Sequence, residues 1–139
     1  MSENFYVSTV GAVPAGKLSE AVSLGVTLAE ESKAAGSTRA SVGTIMTGNN
    51  AGSVVFQQFF QSLNDFANVM DAFSTSDTYG KIMGTGLTVT MRNIAKFCDV
   101  PFDAPANPQR KYVVLTRGKS HISQPELMEL MAEASPMFA

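Results

Sequence analysis

Thr38-Arg39-Ala40-Ser41-Val42-Gly43-Thr44-Ile45-Met46, then Thr47-Gly48-Asn49-Asn50-Ala51-Gly52 and, past Ser53, Val54-Val55-Phe56-Gln57-Gln58-Phe59-Phe60-Gln61 form the stretch that decides the fold. Glycine and asparagine dominate its middle, and both accept the positive φ of a tight hairpin loop. The flanking runs, Thr38–Met46 and Val54–Gln61, are therefore read as antiparallel strands. Side chains alternate along a strand, so Val54, Phe56 and Phe60 share one face while Val55 and Phe59 share the other. Large apolar groups on both faces predict a sheet covered on both sides.

Upstream, Leu18, Val22, Gly25, Leu28 and Ala29 recur at helical spacing within Leu18–Ala35, and Gly36 supplies a left-handed stop. Phe5–Val10 precedes this helix as a strand, closed by Gly11-Ala12-Val13-Pro14-Ala15-Gly16. Downstream, Ser62 is placed to cap a helix over Leu63–Phe73, with Leu63, Phe66, Ala67, Met70 and Phe73 as its apolar stripe. Ser74–Tyr79 breaks that helix before a short further turn through Ile82 and Met83. Gly84-Thr85-Gly86 then releases the chain into a strand over Leu87–Ala95, with Leu87, Val89 and Met91 inward. The β-α-β-β-α-β order specifies an α+β, ferredoxin-like sandwich with two helices on one face.

The rest of the chain changes character. Residues 1–97 make the ferredoxin-like domain, and 98–111, with Pro101, Pro105 and Pro108, read as an extended connector. Residues 112–139 form a β-α extension: a strand at Tyr112–Thr116, then a Ser123-x-x-Glu126 capping pattern with Pro125, followed by Leu127, Leu130 and Met131. This looks like the opening half of a second copy of the unit. Its strand needs a partner, from its own sheet or from a second copy of the chain.

The 139 residues are 45% hydrophobic, enough for one core, and only 16% charged, which points to self-association. A net charge of −2 and the lack of a basic cluster disfavour nucleic acid and anionic membrane as partners. No apolar run approaches the ~18 residues of a membrane span, and Glu3 stands where a secretory leader would be basic. Cys98 has no disulfide partner, so the expected compartment is cytoplasmic; the residue reads as a small buried hydrophobe at a strand end.

Phe66 through Met83, with Asp71-Ala72-Phe73 and Ser76-Asp77-Thr78-Tyr79 before Ile82-Met83, resembles the matching region of the dimeric α+β barrel superfamily. Over about residues 5–97 the chain is most similar to its NIPSNAP-like and antibiotic-biosynthesis-monooxygenase-like members. The resemblance implies a homodimer in which two sheets pack face to face into a barrel, covering the second apolar face. Members of the superfamily include cofactor-independent monooxygenases, haem-degrading enzymes, small lyases and binding proteins, so kinship alone does not name a reaction.

His121 is the only histidine, which excludes a multi-histidine metal site; just before the Ser123 cap it reads as a loop residue, with catalysis as the sharper alternative. Arg92 follows Thr88 and Thr90 on the face opposite Leu87, Val89 and Met91. It is therefore aimed into the space between sheets, to hold a carboxylate or enolate oxygen or to pair with an acid at the rim. Arg39 has the same two readings. Tyr6, Phe56, Tyr79 and Arg92 are the expected boundary of an apolar cavity between helices and sheet, with the tyrosines as hydrogen-bond donors. The leading reading is a protein that binds a small apolar or carboxylate-bearing molecule, with no metal and no cofactor. The alternatives are a cofactor-independent monooxygenase or isomerase, in which Arg92 stabilises an oxyanion and a Tyr or His121 moves a proton, and a non-catalytic assembly protein.

Overall fold

The computed structural model describes residues 3–100 and 111–138. In the first unit, ending at Phe97, seven elements run in order: β1 (Phe5–Ala12), α1 (Leu18–Ala35), β2 (Arg39–Thr44), β3 (Val54–Phe60), α2 (Leu63–Ser74), α3 (Asp77–Gly84) and β4 (Thr88–Lys96). The strands form one antiparallel sheet ordered β2-β3-β1-β4, the ferredoxin-like arrangement. The hairpin loop falls where its glycines and asparagines place it, with Gly48 and Gly52 at φ of 85° and 88°.

Local chemistry explains the element ends. Gly36 stops α1 at φ 139°, its N–H bonding Ser32 O. Ser62 caps α2 reciprocally: Asp65 N donates to Ser62 Oγ at 3.2 Å while Ser62 N donates to Asp65 Oδ2 at 3.1 Å. The expected short turn is a two-turn helix, α3, capped by Ser76. Glu31 ties it to α1, its carboxylate accepting from Ser76 Oγ at 2.5 Å and from Thr78 Oγ1.

Val7, Leu28, Phe60, Val69, Phe73 and Ile82 form the core between sheet and helices. Gly25 sits where a Cβ would come within 2.8 Å of Val42 Cγ2, so its absence lets α1 close onto β2. On the opposite face of the sheet, Arg39 makes a bidentate pair with Glu3, Nε and Nη2 each donating at 2.7 Å. The Arg39 guanidinium also lies 4.0 Å from the centroid of Phe59. The structural reading of Arg39 is the observed one. Phe59 packs against Tyr6 at 5.1 Å and stacks on Phe97 at 6.0 Å, so this face carries an aromatic cluster.

The register of β4 corrects the sequence reading. Gly11 pairs with Val89 but Val10 pairs with Met91, so Thr90 is an extra residue and a β-bulge interrupts the alternation. Arg92 consequently pairs with Thr9 and faces the helices together with Val89, rather than lying on the face opposite it. Met91 is carried the other way, paired with Val10.

The second unit begins at Cys98. Its helix α4 (Gln124–Ala134) carries the predicted capping box: Glu126 N donates to Ser123 Oγ at 3.4 Å and Ser123 N to Glu126 Oε2 at 2.9 Å. The Ser123 hydrogen bonds hold the Glu126 carboxyl below its usual range. A 3₁₀ turn, Ser135–Phe138, follows. The strand expected at Tyr112–Thr116 is not formed in the single chain; Val113 and Val114 are 79% and 92% exposed, as suits a segment without a pairing partner. Cys98 is exposed, which corrects its reading as a buried hydrophobe. The prolines of the expected connector lie outside the described residues. Among the described residues no helix is long and apolar enough to cross a membrane.

Candidate functional site

Between the sheet and α1–α3 lies a partly open cavity of about 60 Å³. Its walls follow from the register. Every second residue of a strand faces the helices, so Thr9 and Gly11 of β1, Val54, Phe56 and Gln58 of β3, and Val89 and Arg92 of β4 form its floor. Ala21, Gly25 and Leu28 of α1, Met70 and Phe73 of α2, and Tyr79, Ile82 and Met83 of α3 form its roof, and Leu87 closes it beside β4. An aromatic run crosses the site: Phe56 meets Phe73 edge-on at 6.3 Å, and Phe73 stacks on Tyr79 at 5.6 Å.

Glycine makes part of this space. At Gly11 a Cβ would stand 2.7 Å from Leu87 Cδ2, so Leu87 packs directly over the backbone of β1. Anchoring of α3 to Glu31 holds Tyr79, Ile82 and Met83 in place as one wall.

Polar groups are few. Arg92, exposed at its outer end, donates from Nε to Thr9 Oγ1 at 3.0 Å. That bond orients a planar guanidinium suited to two-point recognition of a carboxylate. Gln58 lies deepest, only 2% exposed, with Nε2 donating to Ser32 Oγ at 2.9 Å; Ser32 and Ser37 hydroxyls share a further bond at 2.9 Å. Among the described lining residues, Arg92 and Tyr79 alone are ionisable. Such a set can hold an oxyanion and place one phenolic hydroxyl beside an apolar ligand. Among the described residues no cluster of side chains suits a metal ion.

Of the residues expected from sequence, Phe56, Tyr79 and Arg92 come together in this cavity. Tyr6 does not: it follows Phe5 and precedes Val7, both packed into the core, so alternation turns it to the opposite face, where its hydroxyl accepts a hydrogen bond from Gln57 Nε2 at 2.8 Å. His121 is an exposed bend residue of the second unit. Gln58 and Thr9 are lining residues that the sequence reading does not name, although their spacing from Phe56 and Val7 puts each on the helix-facing side; Leu87, expected inward, lines the cavity.

The α+β sandwich and its single-sheet cavity belong to the ferredoxin-like class. Within it, the chain belongs to the family described as a domain of unknown function, DUF6854, whose model matches residues 3–97. Solved structures share the fold. A dimeric ferredoxin-like protein from an uncultured marine organism is 14% identical, with TM-score 0.51 over 74% of this chain and 100% of its own. An uncharacterised NIPSNAP domain protein from Burkholderia xenovorans is 12% identical, with TM-score 0.50 over 73% and 99%. A conserved Bacteroides thetaiotaomicron protein of unknown function, described as a possible oxidoreductase, is 10% identical, with TM-score 0.52 over 70% and 100%. At these identities the likeness is one of fold, and it is the fold that the resemblance to the dimeric α+β barrel superfamily implies. No curated protein matches the chain.

Proposed function

We propose that the domain of residues 3–97 binds a small, mainly apolar molecule carrying a carboxylate, with the apolar part between sheet and helices and the carboxylate at Arg92. The observation that carries this reading is the cavity itself: walls of Leu28, Phe56, Phe73, Ile82 and Leu87, with one guanidinium at its outer side steered by Thr9. Few convergent polar groups in an apolar cleft are what a small-molecule site requires. At about 60 Å³ the space suits a short chain or one end of a larger molecule rather than a bulky cofactor. The test is a titration of ¹⁵N-labelled protein with hexanoate and, separately, with hexylamine. Hexanoate shifts the amide resonances of Thr9, Phe56 and Arg92, and hexylamine does not. Equal response to both, or to neither, overturns the carboxylate reading.

We further propose that the protein works as a homodimer. The aromatic cluster of Tyr6, Phe59 and Phe97 on the face opposite α1–α3, with Phe97 46% exposed, supports this reading, as does the low charged fraction. Light scattering at micromolar concentration is expected to give twice the monomer mass of 14.8 kDa. A monomer overturns it, and a dimer unaffected by Phe59→Lys moves the contact off the aromatic face.

A further inference from the structure

We infer that Gln58 is the specificity-determining residue of this cavity and that the ligand carries a hydroxyl or N–H at its inner end. The inference rests on the carboxylate reading above and adds a second polar anchor to it. Gln58 is a buried amide in an otherwise apolar strand face, between Phe56 and Phe60. Its nitrogen end is committed to Ser32. Its Oε1 receives no hydrogen bond among the described residues, yet none of their fully sealed side-chain oxygens or nitrogens lacks a partner. The oxygen therefore keeps some accessible surface, and Gln58 is a lining residue of the cavity.

An amide oxygen in so apolar a setting gains from a donor that a bound molecule supplies. Ser32 is in turn bonded to Ser37, where α1 ends, so the amide is held from behind and cannot swing freely. Position gives the ligand's length. Gln58 pairs with Val7 and Arg92 with Thr9, placing the two residues two strands and two positions apart. Standard sheet spacings make that roughly 12 Å between Cα atoms. Arg92 leans over β1 to reach Thr9, and a hydrogen bond of about 2.9 Å is taken up at each end, so no more than roughly 6 Å remains between the ligand's terminal oxygens. That is the span of a chain of at most about four carbons, because the two terminal oxygens add to its length. The chemical class is a short ω-hydroxy or ω-amido carboxylic acid, its carboxylate at Arg92 and its donor at Gln58 Oε1.

The test compares 4-hydroxybutanoate with butanoate on the full-length native protein and on Gln58→Met, which keeps the side chain's length and removes its acceptor. Affinities are read from amide shifts of Thr9 and Phe56. In the native protein the hydroxy acid binds roughly tenfold more tightly, the worth of one buried hydrogen bond, and in Gln58→Met that preference disappears. If butanoate binds as well as or better than the hydroxy acid, Gln58 does not select the ligand, while the cavity reading stands. If neither acid moves these resonances, the carboxylate reading itself fails and this inference falls with it. Should Gln58→Met not fold, the comparison in the native protein decides alone.

Discussion

Arg92 and Thr9 face one another across the β1–β4 pair, the Arg92 Nε donating to Thr9 Oγ1 at 3.0 Å on the helix-facing side of the sheet. The pairing exists because Thr90 bulges and transfers Arg92 from one face to the other. Arg92→Met removes the guanidinium from an exposed position while keeping much of the stem. Its melting temperature is expected to stay close to that of the native protein, while hexanoate affinity falls tenfold or more, as for loss of a hydrogen bond to a charged group. Calorimetric titration beside a thermal melt checks both; a variant that unfolds early or binds normally would contradict the placement of Arg92.

Glu31 is the clasp between α1 and α3. Two hydroxyls, from Ser76 and Thr78, donate to one half-buried carboxylate. Bonds of this kind contribute about 1.5–3 kcal/mol, so Glu31→Ala is expected to lower unfolding free energy by about 2 kcal/mol in urea. Hydrogen exchange should rise most in Tyr79–Met83, the wall of the cavity. Uniform loss of protection would show that Glu31 supports the whole domain instead.

Gly25 sets helix propensity against packing. Alanine is favoured over glycine by about 1 kcal/mol in a helix interior. Here the new Cβ would meet Val42 Cγ2 at 2.8 Å, and overpacking typically costs about 1–3 kcal/mol. Gly25→Ala is expected to be net destabilising in the native background and stabilising in Val42→Ala, where the methyl has room. A double-mutant cycle by chemical denaturation reads the change of sign; additive effects would mean that the two residues do not compete for space.

Glu3 gives the domain a pH dependence of known direction. Hydrogen bonding from Arg39 lowers its carboxyl below the ordinary range, outweighing the opposing effect of burial, and the Thr38 hydroxyl adds to the lowering. A carboxyl depressed by folding stabilises the folded state above its unfolded value, about 4.3, and that contribution is lost as pH falls through the lower folded value. Arg39 is well exposed, so the pair is worth no more than about 1 kcal/mol. Native protein should therefore lose more stability than Glu3→Gln between pH 5 and roughly pH 3. Parallel slopes over that window would remove Glu3 from the account.

How much of this could be read from the chain follows from range. The hairpin, the helices and the Ser62 and Ser123 caps are local, each decided by a few neighbouring residues, and they fall where expected. Arg92 lies on the face opposite to the expected one because a bulge shifts the alternation by one, and its only local trace is Gly11, a glycine inside the strand rather than at its end. Tyr6 was within reach, since Phe5 and Val7 already claim the core face. Gln58 carried no flag because a glutamine in an apolar strand acquires meaning only from Ser32, 26 residues earlier. The Glu31 clasp spans 45 and 47 residues to its two partners and has no local signature.

The division at Phe97 predicts that the first unit folds without the rest of the chain. Every strand of the sheet, the three helices packed on it and all six residues of the core cluster lie before Cys98, and the family model ends at Phe97. The lining residues of the cavity also fall within this span. A chain ended after Phe97 is expected to keep its far-ultraviolet circular dichroism per residue in the sheet and helices, to melt in one cooperative transition and to bind hexanoate with unchanged affinity. The same sample reports on association, because Tyr6, Phe59 and Phe97 are retained. Light scattering should still give a dimer. Loss of the cooperative melt would mean that the core needs residues beyond 97, and a cooperative monomer would move the dimer contacts off the aromatic face.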